Sequence, residues 1–291
     1  MSVVTSVRAR ATWVRARART RERPNVLAGV GGLFWLLVAL VPVYWLVITS
    51  LSDQSAFLTG DPWTPPSDPT LDNYRLVLES GFVRYLLNSV VVTVGAVGLT
   101  VAASLMAAYA IVRGTGRVLR TVFTLFLLGL AIPLQATIIP VYFIITKLHL
   151  YDTLGALVLP YVAFGIPITV LILTNFLRDV PAELFDSMRV DGASEWQMLW
   201  RLAAPLAKPA VITVAIYNAI QVWNGFLFPL ILTQSPNTRV LPLALWSFQG
   251  EFTINVPAIL AAVVLSTLPV LALYVGGRRQ LISGLTAGFS K

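Results

Sequence analysis

The side chains that most often carry out catalysis are almost absent from this sequence of 291 residues. It contains no cysteine and a single histidine, His149, so a thiolate nucleophile, a thiolate metal site and a disulfide are all excluded. His149 lies in a short connection with no second imidazole nearby, whereas a nucleophile needs a base within hydrogen-bond reach. A G-x-x-x-x-G-K-[ST] phosphate loop is also missing. We therefore expect no enzyme activity, no metal site and no cofactor in this chain; if ATP is used, another subunit binds it.

Ionisable side chains are confined to connections between long apolar segments. The chain is 57% hydrophobic and has 21 basic and 13 acidic residues, none of which falls inside six apolar windows. A helix needs about 20 apolar residues to cross a hydrocarbon core of about 30 Å, so we predict an all-α membrane protein with six transmembrane helices. The predicted spans are 26–50, 85–112, 121–146, 153–177, 209–232 and 256–277. A basic arm, 1–23, would precede this transmembrane domain of residues 24–277, and a tail, 278–291, would follow it.

The distribution of positive charge predicts the orientation. Lys and Arg concentrate in the arm, the second-to-third connection, residues 178–208 and the tail, and such loops stay in the cytoplasm. Both termini are therefore expected there. The arm is best interpreted as an orientation signal resting on anionic lipid headgroups, not as a nucleic-acid site. Ion-coupled carriers place ionisable groups inside their spans, so the uncharged spans argue against that class.

Residues 178–208, called the 178–208 loop below, form the one inward connection with substantial structure of its own. Pro181 and Glu183 suit the first turn of a helix, where free N–H groups and the positive dipole end lie. We expect this helix to run to about Val190, with Leu184, Phe185 and Met188 on one face. Gly192 permits a backbone conformation closed to most residues and should end it.

A second short helix should follow. Ser194 and Gln197 fit a capping box, and Pro205 should end the helix. The two helices would present four large side chains outside the bilayer: Phe185, Met188, Trp196 and Trp200. Exposed aromatics on a rigid element favour docking to a protein partner, but an interfacial helix pair whose aromatics dip into headgroups explains them equally well.

This loop resembles the cytoplasmic "EAA" loop of ATP-binding-cassette importer permeases. The matching residues are Pro181, Glu183, Leu184, Val190, Asp191, Gly192, Ala193, Pro205 and Pro209. At the triplet that gives the loop its name, this chain has Asp186, Ser187 and Met188, of which Met188 departs most from the pattern.

The resemblance extends over nearly the whole chain and is closest to the carbohydrate branch, specifically the smaller six-span permease of maltose-type importers. It rests on short motifs in the family's order: Pro42-Val43-Tyr44-Trp45, Asn73-Tyr74, Asn88-Ser89, Ile139-Pro140-Val141-Tyr142, Trp223-Asn224-x-Phe226 and Gly284-Leu285-Thr286-Ala287-Gly288. Each is weak alone, and their order and spacing together are specific.

The resemblance implies a multi-pass permease subunit in a prokaryotic plasma (inner) membrane, surrounded by lipids. Its partners would be a second homologous permease, two ATPase subunits that bind ATP and Mg, and an extracytoplasmic solute-binding protein. The implied coupling residues are Glu183, Leu184, Phe185, Asp186, Ser187, Met188, Asp191, Gly192, Ala193 and Trp196. The tail would also touch the ATPases. The outward connection, residues 233–257 with Arg239, Trp246, Gln249 and Glu251, would reach toward the binding protein; an ordinary solvent loop is the alternative.

A stripe of amides and aromatic rings on the predicted fifth span would suit a path for a sugar, which is bound through hydroxyl hydrogen bonds and ring stacking. Its members are Tyr217, Asn218, Gln221, Asn224 and Phe228. Amides that hydrogen-bond between helices and stabilise their packing are the alternative. A secondary transporter and an importer permease for a non-sugar solute remain as other functions, and the solute itself is not specified by the sequence.

Overall fold

The computed structural model describes residues 26–245 and 254–287. The predicted basic arm and three residues of the outward connection, Trp246, Gln249 and Glu251, lie outside these ranges. The chain divides into two compact units, Met1–Leu46 and Val47–Lys291. The described part of the first unit is helical, and every site discussed below lies in the second.

The regular elements of the described residues are helices, which confirms the predicted all-α class. They are α1 (Val26–Ser50), α2 (Gln54–Thr59), α3 (Asp72–Val77), α4 (Val83–Arg113), α5 (Arg117–Gly129), α6 (Ile138–Lys147), α7 (Leu154–Arg178), α8 (Ala182–Val190), α9 (Glu195–Met198), α10 (Ala204–Leu206), α11 (Lys208–Trp223), α12 (Leu227–Leu232), α13 (Leu241–Ala244) and α14 (Val256–Ala287). Two π-helical turns, Leu78–Phe82 and Leu199–Ala203, and a 3-10 turn, Leu134–Thr137, join some of them.

Four helical segments in the described chain are long and apolar enough to cross a membrane: Val26–Ser50, Asp72–Arg113, Leu154–Arg178 and Val256–Gly276. Two further pairs of helices pass the same test only together, because each helix alone is too short, and each pair is bent. The described residues thus provide four spans, or six when each bent pair counts as one, in agreement with a multi-pass membrane protein.

The window predicted as the third span contains two helices with different directions. Arg117–Gly129 and Leu134–Lys147 meet at 98°. Pro133, which precedes the 3-10 turn, has no backbone N–H and cannot continue a helical ladder. A proline inside a span favours a bend, and the bend is present at Pro133, whereas α7 continues through Pro160 and Pro167.

The window predicted as the fifth span is also divided. Helix α11 ends at Trp223, and α12 begins three residues later at Leu227. At its other end, α11 meets the preceding helical segment, Glu195–Leu206, at 75°. The 178–208 loop therefore enters the membrane domain through a bend directly before α11.

Helices α4 and α7 form the central packed pair, and α11 lies against both. Small residues permit close approach, as is common between membrane helices. A methyl group on Gly165 of α7 would lie 2.7 Å from Asn218 Oδ1 on α11 and 2.9 Å from Thr100 Cγ2 on α4. Gly165 is thus a point of close approach among these three helices.

One buried cluster connects the 178–208 loop to the spans. It comprises Leu105, Ala108, Tyr109, Leu173, Leu177, Phe185, Met198, Leu199, Ala203, Ala207, Ala210 and Val214. These residues belong to α4, α7 and α11 as well as to the loop itself. We call this side of the spans the loop end and the opposite side the far end.

At the far end, Asp152 fastens two connections to each other. Its carboxylate accepts hydrogen bonds from the backbone N–H groups of Gln234 (2.8 Å) and Ser235 (3.0 Å) and from the Thr238 hydroxyl (2.6 Å). Its own N–H donates to the Leu232 carbonyl at 2.9 Å. Burial alone would raise the pKa of Asp152, but these donors outweigh it and hold the pKa well below its usual range. The side chain is therefore a carboxylate at neutral pH.

Candidate functional site

The 178–208 loop forms the two short helices that its sequence predicts. Helix α8 begins after Pro181, carries Glu183 in its first turn and ends at Val190. Gly192 has a φ of +81°, its N–H donates to the Arg189 carbonyl, and the N–H of Ala193 donates to the Met188 carbonyl. This pair of bonds is a Schellman motif, which needs a left-handed residue at the position of the glycine. The prediction that Gly192 ends α8 is confirmed.

The predicted capping box is present. The N–H of Gln197 donates to Ser194 Oγ at 3.3 Å, and the N–H of Ser194 donates to Gln197 Oε1 at 2.9 Å. The helix continues through a π-helical turn to Leu206, one residue beyond Pro205, where the sequence predicted its end. The bend to α11 follows at once.

The expectation that the Phe185 ring is exposed for docking is wrong. The ring is 2% exposed, lies 6.2 Å from the ring of Tyr109 and has the guanidinium carbon of Arg113 4.5 Å from its centre. Met188 is half-buried against the same cluster. Because α8 is amphipathic, its apolar face packs on the end of α4 in the same chain and is not available to a partner protein.

The rest of the predicted coupling set is mostly on the surface. Glu183, Leu184, Asp186, Ser187, Asp191, Gly192 and Trp196 are exposed, and Ala193 is half-buried. The rings of Trp196 and Trp200 contact each other edge to face, 5.6 Å apart, and their side chains are 61% and 43% exposed. Leu199, which directly precedes Trp200 in the sequence, is buried. The exposed apolar surface of the loop therefore centres on the two tryptophans, Leu184 and Val190.

Glu195, which is not in the predicted coupling set, binds two other residues through its carboxylate. Glu195 Oε2 accepts a hydrogen bond from the Tyr109 hydroxyl at 2.6 Å, and Oε1 accepts one from Arg189 at 2.8 Å. The hydrogen bonds from Tyr109 and Arg189 lower the pKa of Glu195. Its position directly after the capping Ser194 was the available sequence signal.

The five stripe residues lie around one cavity of about 560 Å³. It opens between the bend of the third window, α7 and the break after α11. Its lining comprises Leu134, Gln135, Tyr161, Phe164, Gly165, Ile168, Tyr217, Asn218, Gln221, Val222, Asn224, Gly225, Phe226, Leu227 and Phe228. No acidic, basic or imidazole side chain is among these residues, so the described lining consists of amides, phenols and apolar groups.

The stripe residues differ in how freely they face the cavity. Asn218 is buried and donates to Thr169 Oγ1 at 2.9 Å and to the Val214 carbonyl at 2.7 Å, so the packing alternative describes this amide. Gln221 is exposed and donates to the Tyr217 hydroxyl at 3.0 Å. Phe228 is 2% exposed and packs against the ring of Tyr161.

The predicted stripe includes only residues of the fifth window, and the lining also has polar and aromatic residues from other elements. Tyr161 and Phe164 lie one turn apart on α7, and Gln135 is a single amide within an apolar window. Phe164 contacts the Phe228 ring at 5.7 Å, and a methyl group on Gly225 would overlap the Tyr161 hydroxyl. Their helical spacing could have placed Tyr161 and Phe164 on one face, but only tertiary packing brings that face to α11.

Comparison with known proteins agrees with this architecture. Residues 99–282 match the family described as binding-protein-dependent transport system inner membrane component. The chain is 42% identical over 257 residues to a putative ABC transporter permease protein of Caldicellulosiruptor sp., covering 88% of this chain and 94% of that protein. It is 32% identical over 275 residues to the trehalose/maltose transport system permease protein MalG of Thermococcus litoralis, covering 92% and 97%.

The fold is also similar to that of a chain in a bacterial ABC transporter involved in the import of the acidic polysaccharide alginate. The TM-score is 0.62 with 17% identity, covering 87% of this chain and 95% of that chain. At such low identity the likeness concerns the fold alone. The family match and the relatives show that the chain belongs to the binding-protein-dependent transport system inner membrane components.

Proposed function

We propose that this chain is one permease subunit of an ABC importer and that it forms, with a second homologous permease, the path for a neutral sugar or sugar-like solute. The observation that carries the proposal is the 560 Å³ cavity, where the amides and rings of the fifth-span stripe meet within a member of this transport family. The similarity to a trehalose/maltose permease supports the same solute class.

The lining favours a neutral, hydroxyl-bearing solute for a physical reason. Hydrogen-bond donors and acceptors come from Gln221, Gln135 and the Tyr217 phenol. Apolar ring surface comes from Phe164 and Phe226. A charged solute would need a counter-charge in such a setting because an unpaired ion is costly to bury. The described lining offers none.

Transport would be driven by partners that bind ATP and Mg in the cytoplasm. The 178–208 loop would contact an ATPase subunit through its exposed residues, above all Glu183, Asp191 and Trp196. Positive-inside counting places this loop and both termini in the cytoplasm. The far-end connections would then face the solute-binding protein.

The function is tested by transport in proteoliposomes that contain the chain, its second permease and the ATPases, with the binding protein supplied outside. We expect uptake of a neutral disaccharide such as trehalose or maltose to require ATP and the binding protein, and to survive dissipation of proton and sodium gradients. Uptake that continues without any ATPase would exclude this function. ATP-dependent uptake of an amino acid but of no saccharide in a solute panel would retain the permease and reject the solute class.

The cavity is tested by Gln221→Leu. Loss of a hydrogen bond to a bound hydroxyl costs about 0.5–1.5 kcal/mol, so we expect the rate of uptake at low solute concentration to fall about 2- to 10-fold. Thr213→Val is the matched control, because Thr213 is a half-buried residue of the same helix, its hydroxyl donates to the Pro209 carbonyl, and it lies outside the cavity lining. Equal uptake by both variants would remove Gln221 from the path.

A further inference from the structure

The 178–208 loop is fastened to the last turns of α4 by two kinds of contact. The apolar contact is Phe185, held between the Tyr109 ring and the Arg113 guanidinium. The polar contact is the 2.6 Å hydrogen bond from the Tyr109 hydroxyl to Glu195. Tyr109 takes part in both, so one residue of α4 touches both short helices of the loop.

Three ion pairs add to these contacts. Arg189 of α8 lies 2.8 Å from Glu195 of α9 and 3.7 Å from Asp186. Asp186 also lies 3.5 Å from Arg113 of α4. A continuous chain of contacts thus runs from α4 through α9 and α8 and back to α4.

The members of this chain differ in exposure, and the difference indicates which contact matters most. The Arg189, Asp186 and Glu195 side chains are 52–63% exposed, and ion pairs at that exposure contribute little. Tyr109, by contrast, is 7% exposed. A short hydrogen bond from a nearly buried phenol to a carboxylate is charge-assisted and stronger than a neutral one.

Helix α4 extends from this contact to the solute cavity. Thr100 lies nine residues before Tyr109, about 13.5 Å along the helix axis at 1.5 Å per residue. Thr100 lies against Gly165 of α7, which lines the cavity together with Asn218 of α11. Because tightly packed interiors transmit displacement, a shift of α4 reaches the cavity wall directly.

We propose that Tyr109 and Glu195 are positioning residues that latch the 178–208 loop to α4, so that movement of the loop is transmitted to the cavity. This inference rests on the proposed function. The latch makes the loop a rigid extension of α4. Without it, the loop could follow a moving partner through the bend before α11 while α4 stays in place.

The test uses the complete transporter in proteoliposomes, with ATP hydrolysis and solute uptake measured on the same preparation. Tyr109→Phe keeps the ring that packs on Phe185 and removes only the hydroxyl. Glu195→Ala removes the acceptor, and Glu195→Gln keeps an acceptor without the charge. We expect the ratio of solute transported to ATP hydrolysed to fall about tenfold in Tyr109→Phe and in Glu195→Ala, because loss of one charge-assisted hydrogen bond changes an equilibrium by about that factor. The fall should be smaller in Glu195→Gln. ATP hydrolysis itself should persist.

The control is Tyr142→Phe, which removes a phenol from α6 on the other side of the bend and should leave the transport ratio unchanged. The double variant Tyr109→Phe with Glu195→Ala should lose no more than either single variant, because both remove the same contact. A wild-type ratio in Tyr109→Phe, or additive losses in the double variant, would overturn the latch. Neither result touches the proposed function, which fails only if wild-type uptake needs no ATPase or carries no saccharide.

Discussion

At the scale of single residues, the shape of the 178–208 loop depends on one backbone conformation. Gly192 has φ +81°, and no heavy atom lies within 4 Å of the position that a Cβ would occupy. A glycine is therefore favoured at this position by the backbone conformation and not by steric crowding. A non-glycine residue in this region costs about 1–2 kcal/mol, and a β-branched one is disfavoured further because its side chain is stiff. The glycine therefore sets the angle at which α9 leaves α8.

We expect Gly192→Val to abolish most uptake while the chain still inserts into the membrane, and Gly192→Ala to have an intermediate effect. Gly98→Ala is the control, because Gly98 lies inside α4 and a methyl group there meets nothing within 4 Å. Measuring uptake and the amount of inserted protein on the same membranes distinguishes loss of transport from loss of insertion. Full uptake by Gly192→Val would show that the angle between the two helices is unimportant.

Asp152 offers a second residue-scale prediction. Because its folded pKa is lowered, its contribution to stability is fully present above its unfolded pKa, about 3.9, and is lost as the pH falls toward the folded value. Asp152→Asn should therefore lower the Tm of the purified protein by a few degrees at pH 7. The gap to wild type should narrow below about pH 4. Melting curves over that range check this, and a gap independent of pH would refute the role of the charge.

At the scale of elements, the contact of α4, α7 and α11 depends on the absence of a side chain at Gly165. A methyl group there would meet Asn218 Oδ1 and Thr100 Cγ2 at distances below 3.0 Å, and overpacking of this kind costs about 1–3 kcal/mol. Gly165→Ala should therefore lower the melting temperature in detergent. Gly98→Ala makes the same change in a helix with free space and serves as the control. Equal melting temperatures would mean that the three helices adjust at no cost.

Much of the element structure could be predicted from the sequence because the deciding signals are local. Charge-free windows indicate membrane helices, Pro133 indicates a bend, and the capping residues around Gly192 specify the loop. Phe185 was misplaced because its local context, an apolar residue on an amphipathic helix, does not tell whether the covering surface belongs to the same chain or to a partner. The importance of Glu195 depends on Tyr109, 86 positions earlier, and spacing does not reveal such a contact.

At the scale of the whole molecule, the orientation of the chain decides which surface meets which partner. The sequence contains no cysteine, so single cysteines can be introduced and labelled without background. Val190 is 88% exposed in the 178–208 loop, and Leu148 is 54% exposed in the connection after α6. A membrane-impermeant maleimide added to intact cells or spheroplasts should label Leu148→Cys, and Val190→Cys only after permeabilisation. The reverse pattern would place the loop on the outer side.

The 98° turn between α5 and α6 divides the window predicted as the third span into two arms. On one side of it, α5 stays with the loop end: Gly129 lies close to Pro167, and Arg178 lies over the Phe123 ring at 5.2 Å. On the other side, α6 packs with α12 at the far end. A straight helix would force both ends to tilt together. Because the hydrogen-bond ladders of α5 and α6 are separate, a change in the angle between these two helices would break no hydrogen bond within either helix.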